Sequence, residues 1–358
     1  MGLSRELSVG LSMGLSLRSV GPVHHADCKL IPWAYQGAVL SEYARSRGLA
    51  LDVWAEQAKV RPGEVMSTRQ FLALLAPLQR SAKDSAFVLG QMALPGHYGL
   101  ASQALQQAQN LGEALQLLAR YAARLSPLLT PRLLEQEHET IVVWTDACGL
   151  PGAQRAFVVD MQMSAVTAMA QWLGGARLPW RYSFNRTRPA DISQHASYLS
   201  GTLDFDCHVD AMRIPRTLAS HPWRGGAASA RLMTLQALEQ GADTQASQRG
   251  LLAALYDFFL PRVAGNPSLD DAALAFGVSA ATLKRYLAQH GTSFQAELDQ
   301  VRAHVALYWL GLKGQPNELV ARELGFGDVA NFRRSFKRWT GQTPSALAHL
   351  ASRFAPVV

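Results

Sequence analysis

The first two-thirds of the chain are dominated by helical patterns of apolar residues. Apolar positions recur at steps of three and four from about residue 40 to 128, which predicts several helices. The last of these helices has a clear start, because Asn110 can cap it and Glu113 follows at the spacing of a capping box. Pro127 and Pro131 are then expected to end the helical stretch.

Short β-branched segments follow this helical region. Two of them, ETIVVWTD (139–146) and WRYSFNRT (180–187), predict strands, and DFDCHVDAMRIP (204–215) predicts a strand pair or a strand with a loop. A long helical pattern at 155–175 and a short one at 191–201 lie among them. We therefore expect an α+β domain, with helices first and a small sheet later.

Two stretches poor in large apolar residues, 225–230 and 240–250, suggest where this domain ends. The start of the chain repeats Gly, Leu and Ser and lacks the pattern of a signal peptide, so we predict a disordered or poorly packed leader there. The predicted division has four parts: a leader (1–36), an α+β domain (37–225), a linker (226–247) and an all-α domain (248–358).

The all-α domain begins with a helix-turn-helix pattern. A short apolar face that includes Ala273 precedes Gly277, a residue suited to a left-handed turn, and Ser279 stands where a helix N-cap is needed. In the helix that follows, Leu283 and Leu287 form the inner face. The opposite face carries Ala281, Lys284, Arg285 and Ala288. The candidate DNA-contacting residues of this helix are Ala281, Thr282, Lys284 and Arg285.

The same arrangement recurs downstream. Gly325 is the turn residue, a second helix is predicted to start near Asp328, and Phe332, Phe336 and Trp339 fall on its inner side. The rest of this helix is strongly basic, and its candidate DNA-contacting residues are Asn331, Arg333, Arg334, Lys337 and Arg338. The glycine-to-helix segment is one residue longer than in the first unit.

A long helix is predicted over 293–314, between the two units. It would hold the two recognition helices at a fixed separation, so that they could enter successive major grooves about 34 Å apart. Long basic side chains on such helices can reach guanine edges or phosphates. Two repeated basic faces behind two turn glycines therefore favour a DNA-binding surface over an ordinary solvated helix face.

Composition and charge agree with this interpretation. Residues 248–358 hold 12 Lys and Arg against 8 Asp and Glu, a net charge of +4, whereas the other 247 residues carry only +3. No segment approaches the roughly 20 unbroken apolar residues of a membrane helix. The sparse cysteines, Cys28, Cys148 and Cys207, fit a reducing compartment such as the cytoplasm.

Signals for catalysis or a cofactor are weak. The sequence contains no HExxH, GxSxG, phosphate-binding loop or dinucleotide-binding fingerprint. Cys207 and His208 are adjacent and would point to opposite faces of a strand, so we predict no metal site there. From the missing motifs we predict no cofactor and no enzyme. An effector pocket could be lined by aromatic and histidine side chains, although a plain core role is the simpler interpretation: His97, Tyr98, Tyr121, Trp144 and Tyr182.

The segment from about Gln248 to Leu350 resembles the DNA-binding domain of the AraC/XylS family of bacterial transcription regulators. The pattern GF-x-D-x-x-x-F-x-R-x-FKRW-x-G-x-TP over 325–344 carries this resemblance most specifically. It implies that the first recognition helix reads bases through Ala281, Lys284 and Arg285, and the second through Asn331 and Arg334, with the flanking basic residues on phosphates. Gly327 and Val329 depart from the usual family pattern, and Asp328 is expected to take over the capping role.

Residues 40–220 more loosely resemble a non-cupin, arabinose-binding-like domain found at the N-terminus of some family members. This resemblance implies an effector-sensing and dimerisation domain over residues 37–225. The implied partners are double-stranded promoter DNA, an unidentified small-molecule effector, RNA polymerase and a second copy of the chain, with no membrane.

The sequence is compatible with three functions. The first, which we favour, is a ligand-responsive transcription regulator, for which the sequence does not identify the effector-binding residues. The second is an enzyme that a basic domain targets to DNA, and the third is a constitutive architectural DNA-binding protein. Some AraC-type modules are fused to repair activities that use reactive cysteines, so unchanged DNA binding without alkyl transfer by the intact protein would remove the second. A ligand-induced rise in melting temperature would argue against the third.

Overall fold

The computed structural model describes residues 23–94, 98–223, 228–240 and 249–351. Two compact units are present: His24–Gly250, and a second formed by the chain from Leu251 onward together with Val23. The first is α+β and the second is all-helical, which confirms the predicted fold class. No helix of the described residues is long and apolar enough to cross a membrane.

The first unit contains one large and one small sheet. A five-stranded sheet has the order β3 (Leu129–Glu135), β4 (Glu139–Asp146), β7 (Asp210–Pro215), β5 (Trp180–Ser183) and β6 (Gly201–Asp204). Only the β5–β6 pair is parallel within this sheet. A two-stranded antiparallel sheet joins β1 (Lys29–Pro32) to β2 (Val65–Ser67).

The helices of the first unit account for most of its remaining residues. They are α1 (Ala38–Ser46), α2 (Leu51–Gln57), α3 (Thr68–Ser81), α4 (Ser85–Ala93), α5 (Leu100–Gln106), α6 (Leu111–Arg120), α7 (Ala122–Leu125), α8 (Gly152–Gly174), α9 (Ser193–Tyr198), α10 (Arg216–Ala219) and α11 (Ala228–Glu239). A π-helical turn, Trp33–Gly37, precedes α1.

Helix α8 is the central helix of the first unit, and its close approach to α4 depends on a glycine. A Cβ atom on Gly90 would lie 2.3 Å from the backbone oxygen of Met161, so a larger residue would push the helices apart. The Ser164 hydroxyl donates a hydrogen bond of 2.8 Å to the Phe87 backbone oxygen at the same crossing. Most of α8 is buried, including polar side chains such as Asp160, Gln162 and Thr167 among its apolar residues.

Several predicted elements of the first unit are confirmed. The helix at 155–175 and the strand at 139–146 are present, and the predicted strand at 180–187 is shorter, ending at Ser183. The Asn110 side chain caps α6 by accepting from the Glu113 backbone nitrogen at 2.8 Å. The Glu113 carboxylate does not complete the box on Asn110, because it accepts from the Gln109 backbone nitrogen instead.

In three places the structure differs from the sequence-based prediction. Residues 29–36, assigned to the leader, form β1 and most of the π-helical turn, and Ile31 and Gln36 are buried. Helix α11 occupies much of the predicted linker and buries Leu238 against the first unit. Strand β3 was not predicted because Pro131 interrupts it, but β3 lies at the edge of the sheet, where proline is tolerated.

The second unit consists of a series of helices. They are α12 (Leu251–Phe259), a 3₁₀ segment (Leu260–Gly265), α13 (Leu269–Ala275), α14 (Ala280–Gln289), α15 (Phe294–Leu307), α16 (Asn317–Glu323), α17 (Val329–Thr340) and α18 (Pro344–Ala351). The predicted long helix at 293–314 is present as α15, and a π-helical turn over Tyr308–Leu312 prolongs it.

Candidate nucleic-acid interface

The first helix-turn-helix unit comprises α13 and α14. Gly277 joins them in the left-handed region, with φ of +68°, as the turn requires. The Ser279 side chain then accepts a hydrogen bond of 3.1 Å from the Thr282 backbone nitrogen and caps α14. Ala272 and Ala273 are buried where α13 packs against α14, since only small side chains allow the two helices to approach closely.

Helix α14 has an apolar inner face and an open outer face. Leu283 and Leu287 are almost completely buried in the core of the second unit. On the outer face, Ala281, Lys284 and Arg285 are exposed, so nothing in the described chain covers the predicted base-reading positions. Thr282 is half-buried, and its hydroxyl lies 2.9 Å from that of Ser279, within the cap.

The second helix-turn-helix unit comprises α16 and α17. Gly325 has φ of +78°, and a Cβ atom there would lie 2.4 Å from the backbone oxygen of Ala264. Glycine is therefore required both by the turn and by the contact with the 3₁₀ segment. Asp328 caps α17 by accepting from the Asn331 backbone nitrogen at 2.7 Å, as the sequence predicts.

The aromatic residues of α17 form its inner face. Phe332 and Phe336 are fully buried, and Trp339 is half-buried against the ring of Phe326. The five predicted DNA-contacting residues of this helix are all exposed: Asn331, Arg333, Arg334, Lys337 and Arg338. The aromatic and basic residues interleaved in the sequence therefore separate onto opposite sides of one helix.

Several basic side chains of α17 already have partners within the second unit. Arg333 lies 3.8 Å from the Glu318 carboxylate on α16, and Arg338 lies 3.1 Å from that of Asp299 on α15. Arg334 donates a hydrogen bond to the Asn331 side chain, which in turn donates to the Asp328 carboxylate. The basic residues were predicted from the sequence but their acidic partners were not, because Asp299 and Glu318 lie outside the recognition helix.

A buried arginine of helix α15 contacts residues beside both helix-turn-helix units. The Arg302 guanidinium donates to the Asn266 side chain, which precedes α13, and lies 5.7 Å from the centre of the Phe326 ring, which precedes α17. Burial lowers the pKa of Arg302, but a guanidinium remains charged at neutral pH. One side chain of the connecting helix thus touches the segment before the first helix-turn-helix unit and the turn before the second recognition helix.

The candidate effector-pocket residues of the α+β unit, His24–Gly250, do not all lie at one site. Tyr98 is buried and lines a cavity of about 20 Å³ inside the first unit, whereas His97 lies outside the described residues. Tyr121, Trp144 and Tyr182 are buried in the hydrophobic core. Gln36 and Gln162 also line the cavity and were not predicted from the sequence. A glutamine between two methionines of the apolar helix α8 was an available signal for Gln162.

The cysteine and histidine side chains considered for metal binding or reactivity do not form a candidate site among the described residues. Cys207 and His208 lie in the loop between β6 and β7 rather than on a strand, so strand alternation does not apply to them. No group of three or more His, Cys, Asp and Glu residues in the described part of the chain could hold a metal ion. Cys148 is buried, and this burial, with the nearby Asp146 carboxylate, raises the pKa of its thiol well above the usual value.

Two capped helix-turn-helix units with basic outer faces define a DNA-binding protein, and comparison with known families is consistent with this class. Residues 51–223 match the N-terminal arabinose-binding domain of AraC transcription regulators, and residues 272–349 match a helix-turn-helix domain. The chain belongs to the AraC/XylS family of transcription regulators and carries the arabinose-binding-like type of N-terminal domain. It is a DNA-binding regulator, and members of this family are not enzymes.

Similar proteins come from bacteria. The ornithine utilization regulator of Pseudomonas aeruginosa is 29% identical over 333 residues, covering 88% of this chain and 96% of that protein. The HTH-type transcriptional regulator VqsM of the same species is 23% identical and covers 85% of this chain and 93% of its own length. The crystal structure of the regulator CdpR, also from Pseudomonas aeruginosa, has 22% identity and a TM-score of 0.43, covering 84% of this chain and 96% of that one.

Proposed function

We propose that this regulator binds promoter DNA by inserting α14 and α17 into successive major grooves. The observation that carries this proposal is the pair of capped helices whose apolar faces are buried in one core and whose basic faces are open to solvent. The two recognition helices belong to a single compact unit and are joined through α15. Their separation is therefore set by a shared core rather than by a flexible linker.

The roles of the side chains follow from their length and chemistry. Arg285 and Arg334 can each reach a guanine edge with two hydrogen bonds, and Asn331 can pair in the same way with adenine. Lys284 can meet a base or a phosphate, and Ala281 leaves room for α14 to lie deep in the groove. We assign Thr282, Arg333, Lys337 and Arg338 to the sugar–phosphate backbone, where contacts set register rather than sequence.

We further propose that the first unit senses a small molecule and changes the affinity of the protein for its promoter. Such a molecule must bind two states of the protein with different affinities. The arabinose-binding-like family match supports a sensing role. The name of one relative associates that protein with ornithine utilization, but 29% identity does not transfer its ligand to this chain.

The proposed assembly is a homodimer on paired DNA sites, which would raise affinity through avidity. The proposed partner in transcription is RNA polymerase, and the proposed location is the cytoplasm, where the chromosome is accessible. Assignment of effector sensing to the unit His24–Gly250 and of DNA binding to the helical unit that begins at Leu251 is part of the same proposal.

A gel-shift experiment with the purified protein and its own upstream DNA tests this function. We expect tight binding that unrelated competitor DNA does not displace and that weakens steeply with salt. Arg285→Ala should weaken this binding and relax its preference at one base pair, while Arg45→Ala, which removes an exposed arginine of the first unit, should leave binding unchanged. If competitor DNA displaces the protein equally from every sequence, and selection from genomic fragments enriches no site, specific regulation is wrong.

A further inference from the structure

The cavity in the first unit has a mixed lining that a simple core packing defect would not have. It lies among the π-helical turn, α1, α3, α4, α7 and α8, and most of its lining is apolar, with Phe71, Leu128 and Met161 among the contributing side chains. Two carboxamide side chains, Gln36 and Gln162, and the phenol of Tyr98 complete it. Of the described residues that line the cavity, none carries a charge.

Both glutamines are buried with an amide oxygen that has no hydrogen-bond partner among the described residues. Gln36 and Gln162 are each 5% exposed. The amide nitrogen of Gln36 donates a hydrogen bond of 2.6 Å to the backbone oxygen of Arg124. This contact determines the orientation of the amide, because a carbonyl oxygen accepts only from the nitrogen end. The other end of Gln36 is therefore its oxygen, which is an acceptor.

Two buried acceptors without donors destabilise a folded protein, since burial removes their hydrogen bonds to water. A leucine or methionine at position 162 would satisfy the same apolar surroundings on α8 without this loss. A site that binds a ligand accounts for both oxygens, because the donor they lack would come from the bound molecule. A single ordered water is the alternative, since a cavity of about 20 Å³ holds about one water molecule.

The chemistry of the lining restricts the ligand. Two acceptor oxygens select a molecule that presents N–H or O–H groups, and the apolar remainder selects a compact hydrocarbon body. A charged ligand would lose its hydration without gaining a counter-charge from the described lining, which is strongly unfavourable. An organic ligand also needs more room than the cavity has, so side chains must move on binding, and Met161 is unbranched and adaptable.

We propose that this cavity is the effector site and that its ligand is a small, uncharged, largely apolar molecule with a hydrogen-bond donor, such as an alcohol or a primary amide. Gln36 and Gln162 accept from the donor, and Met161 and Phe71 contact the apolar body. That the ligand is an effector rests on the proposed function, whereas its binding at this site does not.

Methyl NMR of the full-length protein with labelled methionine tests the proposal directly. The probes are four molecules with the same four-carbon body, namely 1-butanol, butanamide, butylammonium and butyrate. We expect the alcohol and the amide to shift the Met161 methyl resonance in a saturable way, with at least tenfold weaker binding of the two ions. The methyl group of Met163, which is fully buried on α8 and does not line the cavity, should not move.

Matched variants separate the glutamine oxygen from general packing. Gln162→Leu should weaken binding of 1-butanol about three- to tenfold, the effect of one lost neutral hydrogen bond, and should leave the melting temperature equal or higher. Gln171→Leu, at an exposed position of the same helix, should change neither. Gln36→Leu is the second test of the site, and its loss of the bond to Arg124 should also lower the melting temperature.

Each outcome decides the proposal. If none of the four molecules shifts Met161, or if all four bind equally, the site or the ligand class is wrong. If Gln162→Leu raises the melting temperature but leaves 1-butanol binding unchanged, the glutamine has no role in recognition. These readouts involve no DNA, so a failure of promoter binding would overturn the proposed regulatory function while leaving the ligand site intact.

Discussion

The two recognition helices carry similar residues in different electrostatic settings. On α14, neither Lys284 nor Arg285 forms an ion pair with any residue in the described part of the chain, and Arg285 only lies over the Tyr286 ring, 5.6 Å from its centre. On α17, Arg333 and Arg338 face acidic side chains, and Arg334 is bonded to Asn331. The first helix therefore presents unpaired charge, whereas the second presents charge that is held in place.

This difference has consequences for DNA binding. An arginine that leaves an intramolecular partner for DNA gains only the difference between the two interactions, but it loses less side-chain entropy because it is already ordered. We therefore expect α14 to contribute more to affinity and sequence discrimination, and α17 to contribute more to orientation. Lys337, which has no ion-pair partner among the described residues, is the exception on α17.

The inner faces of the two helices also differ. Helix α14 is anchored by Leu283 and Leu287, whereas α17 is anchored by Phe332 and Phe336, which pack against each other with ring centres 5.8 Å apart. Aromatic anchors bury more surface than leucines do. Helix α17 is thus the more firmly packed helix and also the one whose outer charges are already paired. Both properties fit a positioning role for the second helix-turn-helix unit.

The largest expected effect comes from removing an aromatic anchor. Phe332→Ala should lower the free energy of unfolding by about 3–5 kcal/mol, through lost burial and a cavity that the fully enclosed site cannot fill. Urea unfolding followed by circular dichroism measures this loss. Arg333→Ala, at the next position on the exposed side of α17, should remain within about 0.5 kcal/mol of the original protein. A smaller loss for Phe332→Ala than for Leu283→Ala would contradict the stronger anchoring of α17.

The next effect concerns base recognition. Arg285→Ala should weaken binding to the promoter site by about 1–3 kcal/mol and relax the preference at one base pair. Arg334→Ala should fall at the lower end of that range, because Arg334 exchanges its bond with Asn331 for its bond with DNA. Competition with singly substituted sites measures both. Arg285→Lys preserves charge but not the two-pronged contact, and equal discrimination by this variant would refute base reading by Arg285.

The helix caps provide a third comparison. Ser279→Ala and Asp328→Ala should each lower the free energy of unfolding by about 1 kcal/mol, since each removes the acceptor for a backbone N–H at the start of its helix. Asp328→Ala should cost more, because Asp328 also accepts from the Asn331 side chain. Thermal unfolding of both variants is the measurement. Asp328→Asn, which keeps an acceptor, should recover most of the loss, and no recovery would mean that charge rather than capping is responsible.

The smallest expected effect is a change in salt dependence. Asp299→Asn should release Arg338 to contact a phosphate, so the slope of log affinity against log salt concentration should steepen by about 0.9. Lys337→Ala should make that slope shallower by a similar amount. Fluorescence anisotropy at several salt concentrations measures both slopes. The ion pair has an exposed arginine, so Asp299→Asn should change stability by less than about 1 kcal/mol. Identical slopes in all three proteins would place these side chains away from DNA.

The sequence by itself determined the architecture of the second unit, because its signals are local. Gly277 and Gly325 are needed at left-handed turn positions, and Ser279 and Asp328 each satisfy a backbone group only three residues away. The period of apolar residues along a helix likewise depends only on neighbouring turns. Such features are visible without knowing where the rest of the chain lies, and they were sufficient to predict both recognition helices and their exposed faces.

The tertiary structure alone decided which distant residues meet. The pairing of Arg338 with Asp299, the incorporation of residues 29–36 and 228–239 into the first unit and the meeting of Gln36 with Gln162 at one cavity leave no periodic trace in the sequence. Each depends on contacts between segments far apart in the chain, whose free energy outweighs local preference. The physical reason is that local capping and periodicity specify elements, whereas long-range packing specifies which of their side chains become neighbours.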